Sequence, residues 1–472
     1  MKKQLNLLDT SVPMWKLIVL LAWPTIIEQL LQTAVNYVDT AMVGSIGTNA
    51  TASIGVCSST IWLIMGFMAA AGVGYSVMVA RRIGEGSFEE AKEIIRQAVL
   101  AIFALGLVLT AVVELIVAPN LPRWMGAEAD IAPLSTAYFR TVGAAYLFNT
   151  SLVVCSNILR CIGDTKTPLK FNILTNIINV CGNYMLIYPS KEIQLGSLHF
   201  ILPRAGLGVV GAALATALAT AFSGTCLLLV LFRRKGPTQI SLRDRFRPRT
   251  DIIRQALHLG IPSLLERATI SLGQVLSTSI IAGLGTTALA AHQLANSGES
   301  ICYMPIFGFG IAATTLVAQN LGAGERDRAY HSARLCIYMG MGVMSVMGTM
   351  MFIFAPNILR FFTKDPSVIT LGAKMLRIEA FAEISVAIAN VISGALRGAG
   401  DTRWPFYVSL AGMWLIRLPV AFVLIRFFHW DLTAVWLGMA ADWVLRSLIC
   451  LWRFLRKKWL TAWKDTPQTS ES

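Results

Sequence analysis

The chain has 472 residues, of which 55% are hydrophobic and only 14% charged, and its mean hydropathy is +0.62. A water-soluble domain carries about 25% charged residues, so disorder, a coiled coil and ordinary aqueous solubility are excluded. The formal net charge of +14 does not point to nucleic acid, because the basic residues sit in short segments between long apolar runs, as membrane topology demands.

A bilayer-crossing helix needs about 20 predominantly apolar residues. In chain order such runs predict spans near 15–43, 53–80, 94–118, 135–159, 169–189 and 207–232. A second set follows near 257–283, 289–318, 332–355, 371–396, 405–427 and 432–455. The first run has no small-residue cleavage site and carries Glu28 and Asp39, so it reads as a span and not a signal peptide. The expected fold is an all-α polytopic membrane protein of twelve transmembrane helices.

Lys and Arg orient the spans. Alternate connections, including both termini, hold 27 of them, and the opposite set holds six: Arg123, Lys191, Arg204, Arg360, Lys364 and Arg426. Positive charge stays cytoplasmic, so both termini are expected inside, in the cytoplasmic (inner) membrane of a bacterium. The basic stretch 233–254 reads as a solvated linker that grips anionic headgroups. The eight cysteines show no metal-ligand spacing and read as small hydrophobes.

The two halves are copies. Pro24 maps to Pro262, Gly47-Thr48 to Gly285-Thr286 and Gly84 to Gly322, all at +238, while Leu159-Arg-Cys-Ile-Gly-Asp-Thr165 maps to Leu396-Arg-Gly-Ala-Gly-Asp-Thr402 at +237. Six spans per copy is an even number, so both halves enter from the same side. They form two six-helix lobes related by a pseudo-two-fold along the membrane normal, with a site near their interface. The expected organisation is an N-terminal lobe at 1–232, the linker at 233–256, a C-terminal lobe at 257–456 and a cytoplasmic tail at 457–472. In the Arg-x-x-Gly-Asp-Thr loops, Arg160 and Asp164, like Arg397 and Asp401, stand i,i+4, which suits a local structural role. Gly206-Leu-Gly-Val-Val-Gly211 fits a dinucleotide fingerprint but opens an apolar span, where helix packing explains the glycines.

Ionisable groups inside a membrane cost about 2.5–3.5 kcal/mol each on insertion scales, so each needs a reason. Glu28, Gln32, Asn36 and Asp39 form one stripe on the first span, with Glu28 and Asp39 about 20° apart in projection and about 16 Å apart along the axis. The fifth span repeats the pattern with Asn172, Asn176, Asn179 and Asn183, and the seventh carries Glu266, Gln274 and Ser277. Glu28 and Glu266 are repeat-equivalent, each four residues past a proline, whereas Asp39 maps only to Ser277. Glu379 and Glu383 lie one turn apart, Glu299, Arg417 and Asp442 stand alone, and His292 precedes Gln293. Pro24 and Pro262 each remove a backbone donor and are the candidate hinges.

Val38-Asp-Thr-Ala-Met-Val-Gly44, Ala290-Ala-His-Gln-Leu-Ala295, Val317-Ala-Gln-Asn-Leu-Gly-Ala-Gly324 and Gly394-Ala-Leu-Arg-Gly-Ala-Gly-Asp-Thr402 together resemble the multidrug and toxic compound extrusion (MATE) transporters, over essentially the whole chain. The resemblance implies two lobes around a V-shaped cavity and export of amphipathic, often cationic, organic compounds in exchange for H⁺ or Na⁺. Pro24 matches the bending proline of the first helix, Asp39 its cation-site carboxylate and Asn179 an asparagine of the fifth helix. Asn183 falls where the DinF-like branch has an aspartate. Glu266 lies near the seventh-helix glutamate of the NorM-like branch but closer to the proline, and the tenth-helix aspartate of that branch falls near Ala387, a turn from Glu383.

The expected coupling site is therefore Asp39 with Asn36, Asn179 and Asn183, able to exchange a proton or hold Na⁺. Glu266, Glu28, Gln274, Gln293 and Glu383 are candidates for a substrate or second cation site. No enzyme constellation is present: the five His are scattered. No cofactor beyond the coupling ion, no other metal and no nucleic acid are expected, and the chain is expected to act as a monomer in the lipid bilayer on small organic substrates. The alternative, a flippase of a lipid-linked precursor, needs a cationic cavity, whereas the candidates here are acidic and amide.

Overall fold

The computed structural model describes residues 7–195, 198–234, 236–241, 243–244 and 246–465, without the side chains of 191–203 and 464–465. The first residues of the expected N-terminal lobe, the last seven of the tail, and the counted Lys2, Lys3, Lys235 and Arg245 lie outside them. Twelve helical spans follow in the expected order. They are α1 (Met14–Gly44), α2 (Thr48–Gly84), α3 (Phe88–Trp124), α4 (Ala132–Gly143 and Tyr146–Cys161, bent by 49°), α5 (Lys166–Leu186) and α6 (Gly208–Arg233). The second half gives α7 (Thr250–Ala282), α8 (Thr286–Gly322), α9 (Arg326–Phe362), α10 (Pro366–Gly398), α11 (Arg403–Phe428) and α12 (Thr433–Leu455). Eight of them, with the bent α4 as a ninth, are both long and apolar enough to cross a membrane. The other three, α5, α7 and α10, are the spans that carry the asparagine ladder, Glu266 with Arg267, and Glu379 with Glu383. Their lower apolarity marks where the polar chemistry sits.

One element was not anticipated. Between α5 and α6 the chain forms a two-stranded antiparallel hairpin, β1 (Pro189–Leu195) and β2 (Leu198–Ala205), with Glu192 opposite Ile201. Gly206 and Gly208, at φ +65° and +55°, turn the chain from the hairpin into α6. A Cβ on Gly211 would run into the Leu186 backbone, so the fingerprint-like glycines serve turning and close packing.

The lobes cross over at the end of the bundle where the termini lie. Leu17, Ile18, Leu21 and Ala22 of α1 pack in one core with α8, α9, α10 and α12. Reciprocally, Ile252, Ala256 and Leu259 of α7 join the core of α2, α3, α4 and α6. Glycine makes this approach close enough. A Cβ on Gly84 would lie 2.8 Å from the Gln319 carbonyl carbon, and one on its repeat-equivalent Gly322 would lie 3.0 Å from that of Arg81. Across the same seam Gln319 Nε2 donates to Cys161 O at 2.8 Å. The chain end seals it: Trp459, fully buried, stacks on Phe454 at 5.4 Å, and Arg81 lies 4.5 Å over the Trp463 ring. The basic linker is docked as well as solvated, for Gln97 exchanges hydrogen bonds with Arg247 O (2.7 Å) and Arg249 N (3.0 Å).

Candidate functional site

The polar stripes of α1 and α5 face each other and close into a ladder. At its end farther from the termini Asn183 Nδ2 donates to Asp39 Oδ1 at 2.6 Å. With its amide nitrogen turned to Asp39, Asn179 donates to the two carboxylate oxygens at 2.9 and 3.2 Å, while its oxygen accepts from the Thr216 hydroxyl of α6 at 3.0 Å. Asn179 and Asn183 are buried, Asp39 half-buried. The Asn183 Oδ1 has no partner. A carboxylate, two amide oxygens and a hydroxyl gathered here are the hard oxygen donors that suit a proton or an alkali cation. Asn36, Gln274 and Gln293 are exposed, and the structure gathers none of them into this group. Thr216 is the member that sequence reasoning missed; its threonine spacing in an apolar span gives no signal of its own.

At the end of the ladder nearer the termini the chemistry changes. Arg160 of α4 donates to Glu28 Oε1 at 2.6 Å, and Asn172 donates to the same oxygen at 3.4 Å. The repeat does the same with a doubled bond: Arg397 NH2 reaches Glu266 Oε1 and Oε2 at 2.8 and 2.9 Å, with the Ser409 hydroxyl at 3.4 Å. The arginines of the two Arg-x-x-Gly-Asp-Thr loops thus hold the glutamates of α1 and α7. The aspartates face the other way, Asp164 toward Arg234 at 3.7 Å and Asp401 toward Arg453 at 2.7 Å. The threonine of the first loop completes the grip. Pro24 has no N–H for the Leu20 carbonyl, and the Thr165 hydroxyl donates to that carbonyl at 3.2 Å. One turn therefore clasps α1 on both sides of its proline. The i,i+4 spacing read as a local pair is in fact the spacing of two cross-helix contacts.

The carboxy lobe holds a second, denser group, among α8, α10, α11 and α12. Glu299, Glu379, Glu383 and Asp442 are buried with Arg417 and Arg446. Asp442 pairs with Arg446 on its own helix at 2.5 and 2.7 Å. Gly412, in a π-helical turn of α11 (Gly412–Arg417), makes room for that pair, since a Cβ there would sit 2.7 Å from Arg446 Nε. Arg417 is left to Met439 Sδ, with its Nε unpartnered. Glu379 lies in the field of Glu299, Glu383, Arg417 and Asp442. All four carboxyl oxygens of Glu379 and Glu383 are buried without a hydrogen-bond partner, at 0% and 1% exposure. His292, near this group, is a packed polar residue: Nε2 meets Asn296 Nδ2 at 2.8 Å and its ring stands edge-on to Trp436. Four acids against two guanidiniums leave an excess that has to be neutralised, because an unpaired buried charge is far costlier than a buried polar group. The sequence singled out Glu383 with Glu379 one turn away, left Glu299, Arg417 and Asp442 as isolated charges and passed over Arg446.

The arrangement has clear relatives. The MatE family model matches twice, at residues 24–185 and again at 262–423, the second match displaced from the first by 238 residues. A probable multidrug resistance protein NorM of Thermotoga maritima is 31% identical over 451 residues, covering 94% of this chain and 93% of the relative. The probable multidrug resistance protein YoeA of Bacillus subtilis is 27% identical, covering 94% of each chain. Among solved structures, the outward-facing conformation of a multidrug resistance MATE family transporter superposes with a TM-score of 0.87 at 24% identity, over 98% of this chain and 99% of that one. Two six-helix lobes, a family match repeated in each half and full-length relatives make this chain a member of the MATE family of multi-pass membrane transporters and not an enzyme.

Proposed function

We propose that the protein is a cation-coupled antiporter that exports amphipathic, often cationic organic compounds and drugs by alternating access. The observation that carries this reading is the Asp39–Asn179–Asn183–Thr216 group, an oxygen-rich site in the outer half of α1, on a helix whose inner half is packed into the opposite lobe. The protonated or Na⁺-loaded state relieves a carboxylate that otherwise stands in a low-dielectric site. In this reading both termini are cytoplasmic in the inner membrane, supported by the 27-to-6 distribution of basic residues. The sealed seam at Gly84 and Gly322 then makes this the outward-facing state.

The carboxy-lobe acids are the second loading site in the same reading. Glu379 and Glu383, buried without partners, sit where a proton or cation neutralises them, and Glu266 is withdrawn from that role by its bond with Arg397. The flippase alternative is disfavoured because the buried groups are acidic in excess, whereas a pyrophosphate cargo needs cations. The test is efflux of a fluorescent organic cation from proteoliposomes under separately imposed Na⁺ and pH gradients. One of the two gradients drives accumulation against concentration; efflux that follows the drug gradient alone, whatever the ion gradient, overturns the reading.

A further inference from the structure

Counting charges between spans leaves out Lys374 and Arg377, which fall inside the tenth span. In the structure they edge a groove of about 990 Å³ between α10 and α12, whose walls are otherwise mostly apolar, including Leu371, Ile378, Phe381 and Leu437. A second cavity of about 400 Å³ shares Pro366 and Thr370 with the first and is edged by Arg360 and Lys364. Four of the cations on the membrane face opposite the termini thus converge on one margin of the carboxy lobe. Asp365 is occupied in capping α10, accepting from Ser367 N at 2.9 Å, and Asp431 accepts from Thr433 N at 2.9 Å within the field of Lys374.

Arg377 is the unusual member. It stands 11 residues into α10, about 16 Å along the axis from Pro366, and it is exposed on the outer surface of the helix. Its partners are the Phe352 carbonyl, at 3.4 Å, and the Phe352 ring, at 5.7 Å. Lys374, also exposed, donates to the Thr433 hydroxyl at 2.8 Å. Neither takes part in the ion pairs found among the described residues. Two cations at this depth on a lipid-facing surface call for an anion that reaches them from the membrane. Below them the groove continues as an apolar channel to Phe381, which is 76% exposed, so the anion has to carry a hydrocarbon chain to fill it.

We propose that this groove binds an anionic phospholipid from the leaflet opposite the termini. Lys374 and Arg377 hold its phosphate, and an acyl chain lies along Ile378, Phe381 and Leu437. Arg360 and Lys364 add attraction from the adjoining cavity. The leaflet follows from topology alone, since α10 begins on the face opposite the termini whichever way the protein sits in the membrane. The site does not depend on the identity of the coupling ion or of the drug.

The experiment is native mass spectrometry of the full-length protein titrated with phosphatidylglycerol or phosphatidylcholine of matched chains. The variants are Lys374→Gln with Arg377→Gln, the charge-conserving Lys374→Arg with Arg377→Lys, and Arg426→Gln as a control at another exposed cation. Wild type should hold one phosphatidylglycerol in preference to phosphatidylcholine. The double glutamine variant should bind it about 30-fold more weakly, as expected for the loss of two cation–headgroup attractions. The conservative pair and Arg426→Gln should stay within a few-fold of wild type. Equal affinity for the two lipids, or phosphatidylglycerol binding unchanged in the double glutamine variant, overturns the proposal. So does inorganic phosphate alone displacing the lipid at comparable concentration, which would make this a simple anion site.

Discussion

Replacing Gly84 and Gly322 by alanine should prevent the lobes from closing on the side of the termini. Ordinary van der Waals contact for a Cβ begins at about 3.4 Å, yet a Cβ on Gly84 would lie 2.8 Å from the Gln319 carbonyl carbon and 2.9 Å from its Cα. On Gly322 the corresponding neighbours are Arg81 C at 3.0 Å and Glu85 N at 3.1 Å. These neighbours are backbone, so no rotamer change relieves the overlap and the helices α2 and α8 must part. Overpacking of this kind costs about 1–3 kcal/mol per site, and each 1.4 kcal/mol moves a two-state equilibrium about tenfold. The alanines leave the backbone undisturbed, because neither glycine has positive φ. The cost therefore falls on the closed state and spares the separate lobes. Cys161 reports the outcome, being buried at 4% exposure in that seam. With Cys161 as the sole thiol, maleimide labelling should accelerate at least tenfold in the double variant, with efflux falling in step and membrane insertion unchanged. Wild-type labelling and efflux in the double variant would refute the claim that this seam is what closes the transporter.

Arg397→Met should destabilise the protein by about 3–5 kcal/mol by stranding Glu266, whereas Arg397→Met with Glu266→Gln should recover most of that loss in thermal unfolding. Since Glu266 is tied to Arg397, Glu266→Gln should weaken cationic and neutral substrates alike; selective loss of cations in binding assays would return Glu266 to the drug site. Glu379→Gln with Glu383→Gln should lower the number of cations moved per drug, read from the reversal potential of transport in proteoliposomes, without lowering stability, because neither carboxyl has a hydrogen bond to lose. An unchanged stoichiometry would make the pair structural.

Spans and lobes were legible because a membrane forces apolar runs of fixed length, and a helix places residues three and four apart on one face. That periodicity laid Asp39 on one polar stripe of the first span and Asn179 and Asn183 on another of the fifth, and the resemblance to the MATE transporters is what joined them into one site. What the periodicity could not supply was direction across helices. Arg160 and Glu28 are 132 residues apart, and the i,i+4 aspartate was the nearer partner on paper. The repeat held the missing signal: both halves keep a glutamate four residues past the proline and an arginine in the loop, so the same opposite charges recur together. The carboxy-lobe acids have no such echo in the amino lobe, and they come from three helices, so Glu299 and Asp442 looked unrelated to the Glu379–Glu383 pair. The hairpin between α5 and α6 falls in a connection between apolar runs, which a search for spans reads only as a gap. Gly84 and Gly322 were seen as a repeated pair, but their meeting across the seam depends on how the lobes dock.

The central claim, exchange of ion for drug through Asp39, is tested most directly by drug binding to purified protein as the coupling ion is raised. Linkage requires that each ligand weaken the other by the same factor. In wild type, affinity for a fluorescent organic cation should fall as H⁺ or Na⁺ increases, and Asp39→Asn should flatten that dependence while the protein remains folded and inserted. Wild-type affinity indifferent to both ions, in a sample that still transports, would contradict exchange and leave a uniporter.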